Sequence, residues 1–101
     1  MSEFSSQELS REDKMLIALK RLYLGEISEG ELLSYLRKDL LKVSQESYAK
    51  LVGVSRRTLS DIENNNANLS VKTLNQVFKP FGLKIGLLPR FQEHLDAVMK
   101  L

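Results

Sequence analysis

The chain contains no cysteine, which excludes disulfide bridges and thiolate metal centres. Histidine occurs once, at His94. There is no cluster of metal-ligand residues, no glycine-rich phosphate loop and no nucleophile–base pair in the sequence, so nothing supports catalysis, a metal or a cofactor. His94 falls on a predicted terminal helix and reads as a solvated surface residue. No apolar run is long enough to span a bilayer, and the opening MSEFSSQELS lacks a signal-peptide pattern. A cytoplasmic protein without a membrane partner is the expectation. Proline occurs only at Pro80 and Pro89, and both read as element boundaries.

A chain of 101 residues has room for one modest core. Its net charge of +2 conceals an uneven distribution. Residues 1–36 carry four Lys/Arg against seven Asp/Glu, a net of −3, and residues 37–101 carry eleven against six, a net of +5. The basic part suits a phosphate backbone, or simply a solvated lysine-rich surface.

The polar residues 1–9 are expected to fray. Ser10 can cap a helix to about Leu24, with Glu12 and Asp13 in its first turn and Met15, Leu16, Leu19, Leu22 and Tyr23 on one stripe. Gly25 ends it. Ser28-Glu29-Gly30-Glu31 is a capping-box pattern that opens a helix to about Leu41, with Leu33, Leu36 and Leu40 inward. Ser44 caps a helix over Gln45–Val52, and Ser55 caps another over Arg56–Glu63. Asn64-Asn65-Asn66-Ala67-Asn68 has the chemistry of a turn. Ser70 caps a fifth helix with Leu74, Val77, Phe78 and Phe81 buried, which Pro80 should kink or end near Lys79. Leu83, Ile85 and Leu87 then alternate, as in a short strand over Leu83 to Leu88, and Pro89 ends it. Phe91, Leu95, Val98 and Met99 suggest a last helix. Tyr23, Tyr35 and Tyr48 sit on or beside apolar stripes and read as core rather than base-stacking platforms.

Gln45 to Asn64 carries the most information. Ala49 is small enough for a second helix to cross closely. Gly53 sits in a tight turn at Val52-Gly53-Val54, where a positive φ costs glycine little. Leu59 and Ile62 place apolar groups on one face of the second helix, while Arg56, Arg57 and Ser60 point elsewhere. This is the pattern of a helix-turn-helix, whose second helix enters the DNA major groove.

Arg56 and Arg57 occupy the turn that reaches base edges, where an arginine fork can bond guanine O6 and N7; the bland alternative is non-specific phosphate contact. Ser60 and Asp61 lie one turn on. Asp61 can accept from a cytosine amino group, although facing away or steadying an arginine is the preferred reading. Gln45, Ser55, Thr58, Asn64 and Asn66 are the phosphate-contact candidates. Capping serves equally for Ser55, and turn structure for the asparagines. Arg37 and Lys38 are candidates to pair with Glu63, or are plain surface charges.

A single apolar strand in a helical domain has unpaired edges. Pairing with the same strand of a second copy, through Leu83, Ile85 and Leu87, solves this and supplies two reading helices for a palindromic site. The alternative is an extended connector packed on its own domain.

These residues resemble the XRE-type, lambda-repressor-like helix-turn-helix family over about Leu33 to Leu83. The match runs through Ser44-Gln45-Glu46, Ala49, Val52-Gly53-Val54-Ser55 and Thr58-Leu59-Ser60-Asp61-Ile62-Glu63-Asn64. Within that family the chain is similar to HipB-type antitoxins, through Glu63-Asn64-Asn65, Asn68 and a strand following the bundle. The resemblance implies base reading by Arg56, Arg57 and Asp61 and phosphate contacts from Gln45, Ser55 and Asn64. It also implies a strand-paired homodimer that represses its own operon and binds a HipA-like kinase toxin. The helix before Gly25 and Pro80 depart from the pattern. A stand-alone or phage-type repressor, and an interaction module that no longer binds DNA, are the rival readings.

The expected fold is therefore all-α. It is a lambda-repressor-like helix-turn-helix bundle with an extra N-terminal helix and a short C-terminal dimerising β-strand. The expected division is an N-terminal extension over 1–29, a DNA-binding domain over 30–82, and a dimerisation strand with a terminal helix over 83–101, all in one compact domain.

Overall fold

The computed structural model describes residues 9–101. Most of the N-terminal stretch expected to fray, residues 1–8, lies outside them. The described residues form six α-helices: α1 (Arg11–Tyr23), α2 (Glu29–Tyr35), α3 (Gln45–Val52), α4 (Arg56–Glu63), α5 (Val71–Phe78) and α6 (Gln92–Met99). A π-helical turn, Leu36–Leu41, extends α2, and a short 3-10 turn, Lys79–Phe81, extends α5. None of these helices is long and apolar enough to cross a membrane.

Serine decides where five of the six helices begin. Ser10, Ser28, Ser44, Ser55 and Ser70 each accept a hydrogen bond from the backbone N–H three residues on, at 3.0 to 3.2 Å. Each bond satisfies one amide that the helix itself cannot, a contribution of about 0.5–2 kcal/mol. At Ser28 the box is reciprocal, because Glu31 accepts from the Ser28 N–H at 2.9 Å. α6 begins at Phe91 without a side-chain cap.

The chain divides into two compact units, one ending at Ala67 and the other spanning Asn68–Leu101. In the first, α1 packs on α2, α2 on α4, and α3 on α4. Its core is Leu32, Leu33, Leu36, Leu40, Tyr48, Ala49, Val52, Leu59 and Ile62, with Ala18 from α1. The inward positions Leu33, Leu36 and Leu40 are as expected. The α1 stripe needs correction: Leu16 and Tyr23 are exposed, and Ala18 is the buried residue. At about 100° per residue, Met15, Ala18, Leu19 and Leu22 share one face and Leu16 falls off it.

In the second unit Pro80 acts as expected. α5 stops at Phe78, and the chain tightens into the 3-10 turn that contains the proline. Val77 and Phe78 are buried, while Leu74 and Phe81 are only half-buried. The strand expected over Leu83 to Leu88 is not formed. Residues 83–89 carry no regular secondary structure, and no β-strand occurs among the described residues. A strand exists only within a hydrogen-bonded ladder, and no other described segment pairs with this one. The last helix is present, but Phe91, Val98 and Met99 are exposed rather than packed.

Candidate nucleic-acid interface

The turn between α3 and α4 is built on Gly53, at φ 79°. Its N–H and that of Val54 both donate to the Ala49 carbonyl, at 2.9 and 3.0 Å. The chain thus reverses within three residues, and Ser55 restarts the helix. A side chain at Gly53 would be strained by that φ.

α4 has two distinct faces. Leu59, Ile62 and Glu63 are buried. Arg56, Arg57 and Asn64 are exposed, and Ser60 and Asp61 are half-buried. On a helical projection these five outer positions span an arc of about 140°, opposite the buried three. The helix therefore presents both arginines on its outer side, at its positive N-terminal end. No ion pair among the described residues involves either arginine. Asp61 holds neither arginine in a salt bridge among the described residues, so of its two preferred readings, facing away or steadying an arginine, the second has no ion pair behind it.

A buried cluster fixes this helix from behind. Arg37, in the π-helical turn, grips Glu63 with two hydrogen bonds, Nε to Oε2 at 2.6 Å and Nη2 to Oε1 at 2.9 Å. A third nitrogen, Nη1, donates to the Val43 carbonyl at 2.8 Å. The side chains are only 8% and 5% exposed, so neither charge has much water to replace its partner. Lys38, the other candidate for Glu63, is exposed. Tyr48 lies fully buried in the same core. Its hydroxyl is pushed up to about 12, by burial first and then by the negative charge of Glu63.

The candidate phosphate residues divide by partner. Gln45 points inward, where its Nε2 donates to Glu63 Oε1 at 3.0 Å and so links the start of α3 to the end of α4. Ser55 accepts from the Thr58 N–H and donates to the Thr58 hydroxyl at 2.9 Å, which makes the two a cap pair. Asn64 ends α4, and its Nδ2 approaches Ser60 Oγ at 3.4 Å. Asn66 is exposed, with its N–H donating to the Asp61 carbonyl at 2.8 Å. Leu83, Ile85 and Leu87, the dimerisation candidates, lie in the second unit, apart from this face in sequence.

Sequence reasoning missed Asn65. It sits at φ 59°, a left-handed conformation that asparagine tolerates better than most residues. Its Oδ1 accepts from the Gly30 N–H at 3.1 Å, and its Nδ2 donates to Ser28 Oγ at 2.9 Å. The amide thus clamps the exit of α4 to the first turn of α2. Gly30 makes this approach possible: a Cβ there would lie 2.5 Å from the Ile62 carbonyl oxygen and 2.6 Å from that of Glu63. The run of asparagines was the available signal, but only the fold names the partners.

A helix-turn-helix family model of the XRE type matches residues 33–88, more than half of the chain. The chain belongs to that family. Its class is therefore that of DNA-binding transcriptional regulators. No curated protein and no solved structure matches it. In this helix-turn-helix protein the matched residues include α3 and α4, the two helices joined by the turn at Gly53. Ser28 and Gly30, which meet the end of α4, lie outside the matched residues.

Proposed function

We propose that the protein is a sequence-specific transcriptional repressor that acts in the cytoplasm and binds a palindromic operator as a homodimer. The observation that carries this reading is the division of α4. One face is anchored by Leu59, Ile62 and the paired Glu63, and the other carries Arg56 and Arg57, which have no ion-pair partner among the described residues. In this reading Arg56 and Arg57 read base edges, with Ser60 and Asp61 beside them. Ser55, Thr58, Asn64 and Asn66 line the phosphate approach, and Gln45 contributes its remaining amide hydrogen. Homodimerisation through Leu83, Ile85 and Leu87 is supported by their pattern and by the full exposure of Leu87.

The resemblance through Glu63-Asn64-Asn65 and Asn68 extends the proposal to an antitoxin that represses its own operon and binds a HipA-like kinase toxin. Co-purification with the product of an adjacent gene tests that extension. Recovery of no kinase favours the stand-alone repressor.

A gel-shift titration with the DNA upstream of its own gene tests the DNA reading. The expected result is a specific complex whose affinity falls steeply with salt. Arg56→Ala with Arg57→Ala should weaken it by about 1–3 kcal/mol for each base-reading fork lost. The folded state should change by no more than about 0.5 kcal/mol, since both side chains are exposed. An unchanged affinity in the double variant would leave the interaction-module reading in its place.

A further inference from the structure

Two backbone irregularities stand side by side in the stretch that leads into α3. Leu36–Leu41 is π-helical, and Lys42, which closes it, lies at φ 58° and ψ 44°. π-helical turns are rare and recur at functional sites. A left-handed conformation crowds the Cβ of an ordinary residue against the following carbonyl oxygen, so glycine is the usual occupant of such a helix end and asparagine the usual exception. Among the described residues other than glycine, only Lys42 and Asn65 have a positive φ. Asn65 uses its side chain in two bonds to the start of α2. Lys42 is exposed, and its ammonium group forms no ion pair among the described residues. Its backbone, in contrast, is held firmly. The Arg37 carbonyl accepts from the N–H of Lys42 and from that of Val43, the latter at 3.3 Å. Arg37 Nη1 in turn donates to the Val43 carbonyl at 2.8 Å, while the rest of the guanidinium grips Glu63. Gln45, the first residue of α3, donates to the same carboxylate. Lys42 therefore precedes the end of α3 that is tied to the exit of α4, where Asn64 and Asn66 follow.

We propose that Lys42 is a DNA-phosphate contact, kept in a conformation suited to glycine because its ammonium group is used. The inference rests on the DNA-binding reading above and adds a residue to it. Backbone strain that the fold does not need points to a working side chain. The first helix of a helix-turn-helix crosses the DNA backbone, and Lys42 stands just ahead of that helix. A lysine is a compact point charge, and on a duplex it displaces a condensed counterion whatever the sequence. Lys42 thus adds affinity for any duplex and leaves the choice of sequence to Arg56 and Arg57.

Lys42→Gly separates a structural role from a binding role, because stability and affinity then move in opposite directions. Removal of the Cβ relieves the crowding, so the midpoint of urea denaturation should match or exceed that of the wild type. Affinity for the DNA upstream of the gene should fall about threefold to tenfold at low salt, and the slope of log affinity against log salt should drop by about one. A random duplex should lose the same factor, whereas Arg56→Ala with Arg57→Ala should act chiefly on the specific complex. Lys42→Asn, which tolerates the left-handed backbone without glycine's freedom, should repeat the loss. Lys42→Arg keeps the charge and should restore both affinity and slope. Wild-type affinity and slope in Lys42→Gly overturn the inference alone. So does a Lys42→Gly protein less stable than the wild type, because the lysine would then serve the fold, and so does a Lys42→Arg protein that binds no better than Lys42→Asn. A wild type that forms no salt-sensitive complex with either duplex overturns the DNA-binding reading as well.

Discussion

Ten of the twelve buried apolar side chains among the described residues lie in the unit that ends at Ala67, and two, Val77 and Phe78, in the unit that follows. Exposed large apolar side chains run the other way. Five belong to the longer first unit and seven to Asn68–Leu101, among them Leu87, Leu88, Phe91 and Met99. The first unit closes its core with its own residues and even buries an ion pair. The second leaves much of its apolar surface in water, which is the usual mark of a surface made to meet something else. The helix-turn-helix therefore sits on a scaffold with its own core, and most of the exposed large apolar side chains gather in a different stretch of the chain.

The most severe way to break this comparison is Arg37→Ala. It strands the Glu63 carboxylate, which is almost wholly buried, and should cost about 3–5 kcal/mol of folding stability in a denaturant titration. A loss under about 1 kcal/mol would mean that the first unit does not depend on its buried pair.

Matched truncations sharpen the contrast. Leu33 is fully buried, so Leu33→Ala should cost about 2–5 kcal/mol. Met99 is 75% exposed, so Met99→Ala should change stability by no more than about 0.5 kcal/mol. Comparable losses in the two would erase the distinction.

The last expected effect appears only in alkali, as a pH dependence that arises in the first unit. Tyr48 ionises near 10 in the unfolded chain and at about 12 in the folded one. Below pH 10 neither state loses the proton, and the contribution is fully present. Between pH 10 and about 12 the unfolded chain releases the proton first, so stability falls as pH rises. Thermal melts of Tyr48→Phe should show a shallower decline over that window than the wild type.

Local chemistry was readable in the sequence, and chemistry across the fold was not. Serine caps placed the starts of α1 to α5 because a cap bond spans three residues and needs no tertiary context. Gly53 and Pro80 marked their boundaries for the same reason. Arg37 was a candidate partner for Glu63, but nothing local said that the pair is buried. Gln45 was assigned to phosphate because it stands at a helix start. In the fold, the carboxylate of Glu63 lies within its reach and takes one of its amide hydrogens. Asn65 was hidden because its partners lie 35 and 37 residues away. The strand was read from alternation, whereas a ladder needs a neighbour that periodicity does not supply.

The clamp of Asn65 on Ser28 and Gly30 bears on how this domain can be handled as a portable part. The family match begins at residue 33, so an excised module cut to that boundary would lose Ser28 and Gly30 and keep Asn65. The exit of α4 would then run into an asparagine held at positive φ with neither of its two partners to grip. For grafting, swapping or minimising this reader, the natural cut precedes Ser28. The smallest transferable unit is longer than the segment that looks like a helix-turn-helix.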